Sequence, residues 1–119
     1  MKAFKIYSED RMGFENEIVY VCNYNKAIEI FNEKLREELK NIGDDVVNKQ
    51  DFSEEVQEFR EWNKDSELLC RKYPLLIHKP KDSNKIVGTI PYWTKTGYEY
   101  NEYEILGELI TLEEIELIE

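Results

Sequence analysis

The segment that most constrains this chain is a helical stripe just past its first fifth. Ile28, Phe31, Leu35, Leu39 and Ile42 recur every three or four residues, while Glu29, Glu33, Lys34, Arg36, Glu37, Glu38 and Lys40 occupy much of the other side. Asn25 is placed to cap this helix and Gly43 to end it. A stripe of this kind must be covered by another apolar layer. The preceding residues supply one. In residues 2–8, Phe4 and Ile6 alternate with Lys5 and Tyr7, the period of a half-buried strand. Glu9–Gly13 has the chemistry of a connection, and Glu17–Tyr24 holds a β-branched and aromatic centre, so the first 24 residues read as an antiparallel hairpin.

Asp44–Gln50 is polar. Asp51, with Glu54 three residues on, has capping-box spacing and predicts a second helix through Val56, Phe59 and Trp62 towards Leu69, Cys70 and Tyr73. Its middle, Asn63-Lys64-Asp65-Ser66, is polar all round, so one helix is interrupted there or two meet; Pro74 ends it. Leu75–His78, between prolines 74 and 80, reads as an extended segment or edge strand. Lys85–Tyr92 and Tyr98–Thr111 read as a second hairpin about a turn at Thr94–Gly97, with Gly107 marking a bulge. Residues 111–119 fit a helical turn and a strand equally. The expectation is an α+β fold in a single domain, 1–119: an N-terminal β-hairpin, central helices and a C-terminal β-hairpin, with the helices on one face of an antiparallel sheet.

Charge is distributed unevenly. The net charge is −10, yet residues 1–98 hold 18 acids against 16 bases, so the remaining −8 comes from residues 99–119, which hold eight acids and no base. That segment is also rich in Tyr, Ile and Leu, so it reads as folded and not as an acidic tail. This balance opposes general binding to nucleic acid, which needs clustered Lys and Arg, and to anionic membranes. It favours a basic protein, including one that itself binds nucleic acid; the same charge also confers solubility with no partner at all. The surface expected to meet such a partner comprises Tyr92, Trp93, Tyr98, Glu99, Tyr100, Glu102, Tyr103, Glu104 and Glu108, tyrosines interleaved with acids in the manner of an interface hot spot.

Motifs for chemistry are sparse. Cys22 and Cys70 belong to no CxxC or Cys/His ligand set and read as buried structural thiols, Cys70 on the stripe of the second helix; His78, the only histidine, reads as a strand residue with one side to solvent. The five glycines are isolated, with no phosphate-binding loop, so no cofactor is expected. Apolar runs are far shorter than the roughly 20 residues that span a bilayer, and the first residues lead into a strand pattern and not a signal core, which points to the cytoplasm. The basic residues Arg71, Lys72, Lys79, Lys81 and Lys85 read chiefly as neutralising the acidic end of the chain. The function expected is that of a non-catalytic inhibitor or adaptor, the physical type of toxin-neutralising immunity proteins and of phage-encoded inhibitors that occupy nucleic-acid grooves. A carboxylate-dependent enzyme and a subunit that self-associates through strand edges are the alternatives, and the oligomeric state stays open.

Overall fold

The structure, a computed structural model, describes residues 2–10, 12–95 and 103–116. The chain runs β1 (Lys2–Glu9), β2 (Glu15–Val21), α1 (Tyr24–Ile42), a single 3-10 turn at Gly43–Asp45, α2 (Lys49–Trp62), β3 (Glu67–Cys70), β4 (Leu76–Lys79), β5 (Lys85–Lys95) and β6 (Tyr103–Glu116). All six strands form one antiparallel sheet in the order β2-β1-β6-β5-β4-β3. The two hairpins are thus joined by β6, which pairs with β1 from Lys2↔Glu116 to Glu9↔Leu109 and with β5 along its other side. Residues 111–116 are strand, and so are Thr94 and Lys95, the first half of the turn expected at Thr94–Gly97; Thr96, Gly97 and Leu117–Glu119 lie outside the described residues.

The α1 stripe does what its period requires. Phe31 and Leu35, with Ala27, pack on Phe4 and Ile6 of β1, Ile90 of β5, and Ile110 and Leu112 of β6. Its cap is Asn23, two residues earlier than expected, whose side chain accepts the Lys26 N–H at 2.9 Å. Gly88 brings helix and sheet together: a Cβ there would meet Leu35 Cδ2 at 2.9 Å and Phe31 Cζ at 3.1 Å.

The single helical layer expected from the sequence is supplied by α1; α2 takes the reverse side of the sheet. Neighbours on a strand point to opposite faces, and on β4 Ile77 joins the α1 core while Leu76 joins Phe52 and Val47 beneath α2. The crossing occurs at Val46-Val47. Beyond Thr89, β5 outruns the short β4, and the backbone edge this exposes receives Val46 in a bridge to Tyr92 and the Val47 N–H on the Pro91 carbonyl at 3.2 Å. Val46 therefore packs with the first core and Val47 with the second.

Five local expectations need correction. The cap of α2 is Asn48, which accepts the Asp51 N–H at 2.8 Å, so Asp51 is a donor inside the first turn. The helix stops at Trp62, because the polar run Asn63–Ser66 offers it nothing to pack and instead turns the chain back, with the Ser66 N–H on the Asn63 carbonyl. Leu69 and Cys70 consequently lie on β3, not on a helix, and the thiols are less sheltered than expected: Cys70 is half-buried and Cys22 exposed. β3 rather than β4 is the edge strand. Gly107 marks no bulge; the β5–β6 register is continuous, and the missing side chain makes room for Thr89 Cγ2, which a Cβ would approach to 2.7 Å.

Both edges are irregular. The β1–β2 register shifts between Ile6 and Ser8, beside Glu17 with φ of 53°, and the β3–β4 register shifts between Leu68 and Cys70. Such bulges blunt a free edge against pairing with another chain.

Candidate functional site

The sheet order carries the acids of β6 to places that linear reading does not distinguish. At its far end they are neutralised within the fold: Glu114 lies 3.6 Å from Lys2, and Glu113 stands between Lys5 on β1 and Lys85 on β5 in register. The Glu113 pairing accounts for Lys85, one member of the basic segment. Lys5 also pairs tightly with Glu15, and this bond is the first cause of its raised pKa. The Tyr7 ring lies under Lys5, and its hydroxyl donates to Glu113 Oε2 at 3.4 Å; burial, then the Glu113 charge, push that phenol up to about 12.

Towards the other end, Glu104 and Glu108 have no base opposite them among the described residues. Together with Glu9 and Asp10 they line a cavity of about 530 Å³, walled by Ser8 and Asn16 on one side and Tyr92 and Leu106 on the other. Among the described residues, no lysine or arginine lines it. Two of these acids have contrasting environments. Asp10 is fixed by the β1–β2 turn: its carboxylate accepts the Phe14 N–H at 2.9 Å, the Met12 N–H at 3.0 Å and the Asn16 side-chain amide at 3.4 Å. These bonds, that from Phe14 foremost, hold its pKa below the usual value, so it is a fixed negative charge. Glu108 is the converse. Partial burial, then the Glu38 and Glu17 charges, raise its pKa. Glu38 on α1 is raised likewise, by burial and by Glu17 and Glu37, with Lys34 acting against them. Lys34 is already engaged by Glu17 at 3.6 Å.

Of the nine residues expected to meet a partner, Tyr92, Glu104 and Glu108 line this groove. Trp93 and Tyr103 do not join them, since by strand alternation they point to the α2 side, where they are partly exposed. Tyr98, Glu99, Tyr100 and Glu102 fall outside the described residues. The sequence reading missed Glu9 and Asp10, and the flanking Glu17 and Glu38. Nothing local marks these four acids, because β6 meets β1 and α1 only through the sheet order.

The possible chemical groups are placed separately. His78 lies against the Phe59 ring at 4.5 Å with Nδ1 buried and unpartnered, and burial lowers its pKa. It is therefore a half-buried strand residue whose ring packs against α2. Cys70 Sγ accepts the Lys72 N–H at 3.5 Å. Among the described residues, no three His, Cys, Asp or Glu side chains converge as a metal-ligand set, and no helix is long and apolar enough to cross a membrane.

Fold and site together define a two-helix α+β protein, built on an open six-stranded antiparallel sheet, with an acidic groove at one end. Comparison with protein-family models, with curated proteins and with solved structures finds no match to this chain.

Proposed function

We propose that the protein is a non-catalytic binding protein, an inhibitor or adaptor, that seats a basic segment of a protein partner in the groove of Glu9, Asp10, Glu104 and Glu108. The observation that carries this reading is the convergence of four carboxylates on a concave surface that, among the described residues, no base lines. Like charges brought together in this way repel one another, which is the arrangement expected where a cationic ligand completes the site. Tyr92 and Leu106 add the apolar contact that gives such an interface its residence time. A nucleic-acid-binding protein is the natural partner class, because its phosphate-binding surface has the complementary charge. The two free thiols, one exposed, suit a reducing cytoplasm.

The test is binding of a labelled Lys/Arg-rich peptide and of purified basic nucleic-acid-binding proteins, followed by fluorescence anisotropy across a salt series. Affinity is expected to fall steeply with ionic strength and to be lost in a Glu104→Lys/Glu108→Lys variant. Binding indifferent to both salt and charge reversal would refute the mechanism.

One observation favours a second reading. Glu108 is a carboxylate of raised pKa in a cleft, the property an acid catalyst of a carboxylate-dependent hydrolase requires. Turnover of a glycoside or ester library that disappears in Glu108→Gln, with the fold intact, selects this alternative. The blunted strand edges weigh against self-association by edge pairing.

A further inference from the structure

The molecule has a second concave surface, of opposite sign. Along α2, Lys49, Val56 and Arg60 share one stripe at 3.6 residues per turn, with Phe52 at its margin, and Arg71 and Tyr73 close the far wall to give a cavity of about 580 Å³. The remaining charge of α2 points elsewhere: of its five acids, Asp51, Glu54, Glu55, Glu58 and Glu61, none lines this groove. Segregation of this kind is notable in a chain of net charge −10. Nor are the three cations used internally, for none pairs with a carboxylate among the described residues. The floor is rigid. The Tyr73 hydroxyl donates to the Val47 carbonyl at 2.6 Å, and its ring meets Phe52 edge-on at 5.5 Å.

From this we infer that the α2 groove binds an acidic peptide segment carrying an aromatic or aliphatic anchor, a site separate from the acidic groove. Charge fixes the sign of the occupant. The apolar floor of Phe52, Val56 and Tyr73 requires it also to bring a hydrophobic group, since an anion alone leaves that surface wet. Length argues for a peptide: Lys49 and Arg60 are eleven residues apart on the helix, about 16 Å at 1.5 Å per residue, which an extended chain covers in about five residues. The matching pattern is therefore acids flanking a central anchor, the helix-face counterpart of acidic-motif recognition by arginines.

The probe is a fluorescein-labelled peptide with two acids on each side of a Phe-Leu pair, titrated with the whole protein at low salt. Three comparison ligands accompany it: the same peptide with the acids replaced by their amides, the peptide with Ser-Ser for Phe-Leu, and a short oligothymidylate. Saturable binding of the first peptide, weakened at least about tenfold by either change and by Arg60→Glu/Arg71→Glu, is the expected result. Arg60 and Arg71 are exposed, so the variant keeps its fold, which far-UV circular dichroism verifies. Glu104→Lys/Glu108→Lys is expected to leave this binding in place, separating it from the acidic groove. No saturation at millimolar peptide, insensitivity to Arg60→Glu/Arg71→Glu, or tighter binding of the oligonucleotide than of the peptide would each overturn the inference.

Discussion

Gly88 lies beneath Leu35 with no room for a side chain between them: a Cβ at residue 88 would stand 2.9 Å from Leu35 Cδ2. Leu35 is itself buried and held by Phe31 and Ile110, so it has nowhere to withdraw. Gly88→Ala should therefore overpack the α1 interface and cost about 1–3 kcal/mol. Urea unfolding followed by circular dichroism measures it; Leu35→Ala in the same background relieves the clash, so the double variant should lose less than the sum of the singles.

The acidic groove gives stability a particular pH dependence. Glu108 and Glu38 have pKa values raised above the ordinary 4.5, so the folded state holds their protons more tightly than the unfolded chain does. Their contribution favours folding at pH below 4.5 and is lost as pH rises through the raised values. Asp10 acts oppositely: its lowered pKa favours folding above about the ordinary 3.8 and is lost as pH falls through its folded value. Glu108→Gln should accordingly raise the melting temperature at pH 7 and have progressively less effect towards pH 4. A destabilising Glu108→Gln at pH 7 would mean that its charge is compensated within the fold.

Tyr7 should titrate later than an ordinary phenol. With its pKa pushed up to about 12, it stays protonated at a pH where a phenol of ordinary pKa, about 10, has already ionised. Absorbance at 295 nm should show a late step that Tyr7→Phe removes. Because the unfolded phenol ionises first, Tyr7 also makes stability fall between about pH 10 and pH 12.

The start of α2 separates two assignments of its cap. Asn48→Ala removes the side-chain acceptor of the Asp51 N–H and should cost about 1 kcal/mol. Asp51→Ala removes only a favourable charge in the first turn and should cost about 0.3–0.5 kcal/mol. Thermal melts of the two variants give the order; a larger loss for Asp51 would restore it as the cap.

These assignments show where sequence patterns suffice. The α1 stripe and the alternation of Phe4 and Ile6 identify helix and strand because each persists long enough to exclude the other period. The Leu68-Leu69-Cys70 run does not: three apolar residues after a polar break fit the end of a helix or a short strand, and only pairing with His78 and Ile77 on β4 decides it. The candidate site divides similarly. Glu104 and Glu108 stand out by local charge, whereas Glu9, Asp10 and Glu38 become neighbours of them through non-local pairing alone. Trp93 and Tyr103 lie close to the acids in sequence, yet period-two alternation turns them to the other face.

The position of β6 between β1 and β5 also sets when this molecule can fold. Lys2 pairs with Glu116 across a separation of 114 residues, so the inner edge of β1 stays open until nearly all the chain that lies between them has been synthesised. Pairings this distant are slow to form, because the loop must close before they contribute. On the ribosome the β1–β2 hairpin and α1 therefore wait with one strand edge and one apolar face exposed, the two features that make a partly folded chain prone to aggregate.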